Sequence, residues 1–316
     1  MKKHLKKLYL LNNMSFRKKN KGVSLVELLV GMTLSFIVIG MAFKIYLDIK
    51  TAKNKIEHKA DLIIKKYEMR YLFETILNKN GMGCLIGEHY IYDDLSNKSS
   101  LLMMNAYPEI FSYNSNNINL SQIVNNSNIQ PDSDFMMVKG AYDIQSIKSY
   151  EKGFSVDIYN STNVTAGDLI LICTNSFVKP NYTLAEVSNS IDRTSSIPLT
   201  YDIGGVINGE SIGRYGMYVL FTAYTNSDKT ESSLFLYSLS NTHDISSIEL
   251  IKNVSDLHIS YYNVNEWVSS NTVSIETAKN IWRNKSVKGI KIKCLVDGKD
   301  TEININMNKI RNSHAI

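Results

Sequence analysis

The sequence predicts an α+β chain: a long N-terminal helix rooted in a membrane, with an antiparallel β-sheet head carrying loop insertions packed on its later turns. Three observations predict it. From Val23 to Phe43 every residue is apolar or small and neutral except Glu27. Beyond Lys44 apolar residues recur at intervals of three and four, with no Pro as far as Leu77. After residue 130, aliphatic and aromatic runs of strand length alternate with polar stretches. The expected organisation is a leader over 1–22, a stem helix over 23–80 whose first part (23–43) crosses the membrane, and an extracytoplasmic head over 81–316.

The N-terminal run comes first. Arg17, Lys18, Lys19 and Lys21 precede Gly22, and Lys44 closes the apolar segment. The 21 residues from Val23 to Phe43 make a helix of about 31 Å, enough to cross a hydrocarbon core of about 30 Å. A carboxylate inside such a span costs about 2.5 kcal/mol or more, so Glu27 is expected to have a task. A secretory signal is cut after its apolar segment, behind small residues; Ile39-Gly40-Met41-Ala42-Phe43 matches that pattern poorly.

The leader holds eight Lys or Arg and no acid, which keeps it cytoplasmic and sends everything after Lys44 across the membrane. The whole chain carries 35 basic and 30 acidic residues, a net +5; without the leader, 27 basic residues remain and the net becomes −3. The basic balance therefore belongs to the leader and does not argue for a nucleic-acid surface. Met14 is an alternative start, which would shorten the leader to nine residues.

In the stem, Ile45, Ile49, Ala52, Ile56, Ala60, Ile63 and Tyr67 form the expected apolar stripe toward the head, and Gly81-Met82-Gly83 is the expected stop. The head has about 235 residues, ample for a core. Residues 93–133 and Asn175 to Gly213 read as polar, loop-rich sequence, the latter broken by Pro180 and Pro198. Strands are expected over Phe135–Lys139, Phe154–Tyr159, Leu169–Cys173, Tyr215–Tyr224, Ser233–Leu239 and Leu257–Tyr262, and a short helix over Glu276–Trp282. The chain then closes with a hairpin: Ile290–Val296, a type I′ turn at Asp297-Gly298, and Glu302–Met307.

The stretch Gly22-Val23-Ser24-Leu25-Val26-Glu27-Leu28-Leu29 resembles the class III leader of type IV pilins and pseudopilins. The resemblance implies cleavage between Gly22 and Val23 by a prepilin peptidase, and methylation of the new Val23 amine; Val23 stands where the family usually has Phe. Glu27, about one helical turn from that amine, would pair with it within the chain or across to a neighbouring subunit and set the assembly register. Further along, Tyr71–Leu77 with Gly81-Met82-Gly83-Cys84, then Ser133–Val138, Gly167–Cys173, Glu249–Tyr262 and Val287–Leu295, resemble in order the segments of PilW-type large minor pilins.

Three cysteines permit one disulfide and one leftover thiol. The resemblance implies Cys84 with Cys173, both at element edges near the stem, while Cys294, in mid-strand, reads as a small buried hydrophobe. The six His show no ligand spacing, so no zinc site and no cofactor are expected. Asp132 with Asp134, or Asp192 with Asp202, are acids that Ca²⁺ would use, but without a twelve-residue calcium loop they read as solvated loop acids. There is no nucleophile elbow and no phosphate loop, so an enzyme is not expected beyond the chain's being a peptidase and methyltransferase substrate.

What the resemblance implies in function is a minor pilin that joins other minor pilins and the major pilin in a priming or tip complex, passing from the inner membrane, head periplasmic, to the cell-surface pilus. The alternatives are a pseudopilin of type II secretion, whose large tip member typically lacks the Glu present here, and a tip-displayed adhesin or DNA-uptake module, whose DNA-binding form the −3 charge disfavours.

Overall fold

The first element, α1 (Leu25–Asn78), is a single α-helix of 54 residues, as its Pro-free sequence permits. A computed structural model describes residues 24–78, 91–94, 108, 110–118, 120–151, 154–174, 181–200, 211–240, 246–263, 265–283 and 287–308. The expected Gly81-Met82-Gly83 stop lies outside them. The chain divides into two compact units, residues 1–60 and 61–316.

In the first unit the described residues are the early turns of α1, and their side chains are exposed on every face, Leu25, Phe36 and Phe43 among them. The segment is long and apolar enough to cross a membrane. Its hydroxyls are satisfied internally: Thr33 donates to the Val30 carbonyl at 2.9 Å and Ser35 to the Gly31 carbonyl at 2.7 Å. Such back-bonding removes the polarity that lipid would penalise.

In the second unit the last turns of α1 bury Met69, Phe73, Ile76 and Leu77, spaced at threes and fours. This corrects the expected stripe: Ile63 and Tyr67 are 56% and 67% exposed. At about 100° per residue, Tyr67 lies some 200° around the helix from Met69, so the head packs on nearly the opposite face. Periodicity marked an apolar stripe, but a second one, carrying Met and Phe, makes the core.

The head contains β1 (Ile91–Asp94), β2 (Ile110–Asn114), a 3₁₀ turn (Ser115–Asn117), α2 (Leu120–Val124), β3 (Asp134–Glu151), β4 (Ser155–Val164), β5 (Leu169–Thr174), β6 (Asn181–Glu186) and β7 (Ile191–Pro198). After these come β8 (Ser211–Tyr224), β9 (Ser232–Leu239), β10 (Ser246–Lys252), β11 (Val254–Asn263), β12 (Glu266–Ser269), α3 (Ile275–Arg283), β13 (Val287–Val296) and β14 (Lys299–Asn306). The strands form a ten-stranded sheet and a four-stranded one ordered β12-β11-β13-β14. Among the described residues pairing is antiparallel except between β1 and β6.

Part of the large sheet closes on itself. β6 pairs β5, β5 pairs β8, β8 pairs β3, β3 pairs β4 and β4 pairs β7. The ring is completed where Val187 bridges Leu199, with Thr200 N–H donating to the Glu186 carbonyl and Ser188 N–H to the Pro198 carbonyl. Its interior is a core of its own, including Ile147, Val156, Ile158, Ile170, Ile172 and Ile197. β5 serves two cores: Ile170 and Ile172 face the barrel, whereas Leu169 and Leu171 face the main core. That explains the unbroken apolar run Leu169–Ile172, which is what burial of both faces produces.

β6 and β7 correct the expected loop over 175–213. Their apolar signal is faint because β7 fully buries only Ile197; Ile191, Asp192, Arg193 and Ser195 are exposed and Thr194, Ser196 and Pro198 half-buried. β2 is likewise a strand where loop was expected; five buried residues over so short a length carry no period to read.

The final hairpin is as expected. Ile290, Ile292, Cys294 and Val296 of β13 and Ile303 and Ile305 of β14 are buried, with Lys293, Glu302 and Asn304 exposed. Asp297 and Gly298 have φ of +49° and +72°, the pair of positive values a type I′ turn needs. This hairpin receives the stem: Lys65 Nζ donates to both Asp297 carboxylate oxygens at 2.8 Å, and Cys294 Sγ lies 4.0 Å from Met69 Sδ. α3, expected over Glu276–Trp282, starts with Ser274 Oγ accepting from Thr277 N–H at 3.2 Å and lays Trp282 against Tyr261, ring centroids 5.2 Å apart.

The two sheets are tied by side chains. β11 bulges at Asp256 (φ +52°), shifting register between Ser255 and His258 and releasing backbone amides from the ladder. The segment entering β3 takes them: Gln130 Oε1 accepts from Asp256 N–H at 3.1 Å, Ser133 Oγ from Leu257 N–H at 3.2 Å, and Asp134 Oδ2 from Ile259 N–H at 2.7 Å.

Candidate functional site

Ser24 and Glu27 build the start of α1 together. Glu27 Oε2 accepts from Ser24 N–H at 3.1 Å, and Ser24 Oγ accepts from Val26 N–H at 3.3 Å. The Leu28 N–H to Ser24 carbonyl bond, at 3.1 Å, opens the helical ladder. This is a capping box: each side chain satisfies an amide that the first turn leaves without a helical partner. A carboxylate at this end also meets the positive pole of the helix dipole.

The arrangement holds the one acid of the apolar run, Glu27, back toward its N-terminal end rather than out along the helix. Ser24 was missed by sequence reasoning, although Ser-x-x-Glu ahead of an apolar run is the standing signal for such a box. Gly22, Val23 and Cys84 lie outside the described residues, as does the side chain of Cys173, so the cleavage junction and the expected disulfide lie outside them too.

Cys294 is the small buried hydrophobe expected. It is a free thiol, 4% exposed, and burial pushes its pKa up to about 12. Among the described residues no group of three or more His, Cys, Asp or Glu is placed to hold a metal ion.

Asp134 departs from the solvated-acid reading. It is 1% exposed, and desolvation raises its pKa from 3.8 to about 6, opposed by the Ile259 N–H bond, by His258 and by Asn114. Its role is to tie β11 to β3. Asp132 is a turn residue at φ +59° whose carboxylate receives the Asn116 amide. Asp192 is exposed, and Asp202 lies outside the described residues.

No curated protein and no solved structure matches the chain. Residues 17–43 match the family model described as the prokaryotic N-terminal methylation motif. That motif marks a substrate of a prepilin-type peptidase, and with the apolar helix behind it, it is consistent with membrane anchoring. The N-terminus of this chain is thus of prepilin type, which supports a type IV pilin or pseudopilin.

Proposed function

We propose that this chain is a minor type IV pilin of PilW-like kind, cut between Gly22 and Val23, methylated on Val23, and incorporated with other minor pilins into a priming or tip complex that starts the pilus. The observation that carries the reading is the methylation motif at residues 17–43 leading straight into α1. The size of the head favours a low-copy position: about 235 residues at every subunit would crowd a filament. The head would be periplasmic before assembly, since the basic leader stays cytoplasmic. Cys84 and Cys173 would form its disulfide.

Glu27 supports the assembly role. Its carboxylate already receives the amide of Ser24, one residue from the amine that cleavage at Val23 would create. A second acceptor oxygen remains for that amine or for a neighbour's. Loss of one member of a pair buried in the bilayer destabilises by about 3 to 5 kcal/mol.

The test is Glu27→Ala in the native host. Cleavage and membrane insertion are expected to persist, with surface pili and co-purified minor pilins strongly reduced. Normal pili and normal complexes would remove the carboxylate from assembly. Mass analysis of the mature N-terminus should read methylated Val23; a start beyond Ala42 would mean an ordinary signal peptide. Non-reducing peptide mapping that recovers Cys84 and Cys173 as free thiols from oxidised cells would end the disulfide proposal.

A further inference from the structure

The four-stranded sheet turns one face to the core and the other to solvent. Its inward residues, among them Ile259, Tyr261, Ile290, Ile292, Ile303 and Ile305, are buried. The outward residues line up in rows across the strands. One row runs Trp267, Tyr262, Gly289, Asn306, and the next Ser269, Ser260, Lys291, Asn304.

Trp267 stands on the short edge strand β12 and is 45% exposed. It is held in place from two sides. Its ring centroid lies 5.3 Å from that of Tyr262, the planes inclined at 52°, and Lys291 Nζ lies 4.4 Å from the indole centroid. Gly289 keeps the ground beside it low: a Cβ placed there would stand 3.7 Å from Trp267 Cη2, so the indole reaches across β11 as far as β13. A fixed Trp and Tyr surrounded by Ser, Asn and Lys have the composition of an interface centre with its polar rim.

We propose that this face docks the head of another pilin, which lays an apolar side chain on Trp267 and brings a carboxylate to Lys291. The inference rests on the assembly reading above and gives it a surface. Charge selects the carboxylate: Lys291 is held against the indole and, among the described residues, is in no ion pair, so a partner's acid gives it a charge-assisted bond. Mixed sign selects a protein. In the third row Lys293 lies 3.9 Å from Glu302, with His258 on its other side, and that carboxylate would repel a uniform polyanion such as nucleic acid. Extent agrees: at ordinary strand spacing and rise the four strands span about 500 Å², the larger part of the roughly 800 Å² that each side of a standard interface contributes.

The experiment uses the full chain in its native host, with Trp267 replaced by p-benzoylphenylalanine and cross-linked by light. Peptide mass analysis then identifies the partner and the attachment point. The expected product joins position 267 to a second protein with a processed, methylated N-terminus, at a peptide containing Asp or Glu. Trp267→Ala and Lys291→Glu are expected to lower the amount of that protein co-purified at least tenfold, and Lys291→Arg to keep it within about twofold. Melting temperatures establish that the variants fold; should Trp267→Ala not fold, Lys291→Glu decides. Cross-links confined to lipid, glycan or nucleic acid, no cross-link, or undiminished co-purification by the folded variants overturns the docking face. The assembly reading survives that result so long as Val23 is methylated and the unaltered chain co-purifies minor pilins. An unaltered chain that co-purifies none overturns both.

Discussion

Asp134 gives the sharpest test of how the head is held together. Its carboxylate is buried, takes the Ile259 N–H at 2.7 Å through Oδ2 and the Asn114 amide at 3.3 Å through Oδ1, and has its pKa raised from 3.8 to about 6. A carboxyl whose folded pKa exceeds its unfolded one binds protons more tightly in the native state between those values. Its contribution to stability is therefore full below about pH 4 and declines as pH rises through 6, after which it is flat. A shift of this size corresponds to about 3 kcal/mol between the two ends.

Asp134→Asn keeps an acceptor for Ile259 N–H and cannot titrate, so that fraction of the pH dependence should vanish. Asp134→Ala instead leaves the Ile259 amide buried and unpaired, at a cost of about 1 to 3 kcal/mol plus a charge-assisted bond of similar size. The assay is urea denaturation of the full chain in detergent at pH 4.5 and 7. Trp282 fluorescence serves as reporter, since that side chain is 5% exposed against Tyr261. Should Asp134→Asn show the same difference between pH 4.5 and 7 as the unaltered chain, the assigned titration would be refuted. An unchanged midpoint in Asp134→Ala would refute the tie itself.

Phe73→Ala empties a fully buried position on the stem's packing face and is expected to cost about 3 to 5 kcal/mol in the same denaturation assay. Asp297→Asn keeps a residue tolerant of φ near +49° but discharges the pair with Lys65; both partners are partly exposed, so a loss of about 1 kcal/mol is expected, diminishing at high salt. Cys294 should resist iodoacetamide at pH 8 in the native chain, with its thiol pKa near 12, and react once the chain is unfolded; peptide mass analysis reads both states.

How much of this was legible follows from which residues carry a period. The apolar run from Val23 and the Ile/Lys alternation of β13 are strong signals, and the helix and hairpin formed where they pointed. Asp-Gly announced its turn because few other pairs accept two positive φ values. β7 was silent because Thr194 and Ser196 sit on a nearly polar strand whose place in the ring is set by its neighbours. The stem face was misread because Ile63 and Tyr67 are as apolar as Met69 and Phe73, and which stripe meets the head is decided by the head. At the N-terminal site, Glu27 stood out as a charge where none belongs. Its partner Ser24 is a small residue among small residues, visible only through its spacing to Glu27.

A strand buried on both sides, as β5 is, has no inside and outside to record where it belongs. Sliding Leu169–Ile172 by one position would send leucines into the barrel and isoleucines to the main core, and the hydrophobic account would barely change. The alignment has to be written elsewhere, and the preceding turn is where it is written. Thr165 N–H donates to the Asp168 carboxylate at 2.8 Å and Asp168 N–H to the Thr165 carbonyl at 2.9 Å. Gly167, at φ +86°, fastens its own N–H to the Val187 carbonyl at 2.9 Å. These few polar atoms fix the phase of a strand that two cores share, so an error in the turn would be copied into both.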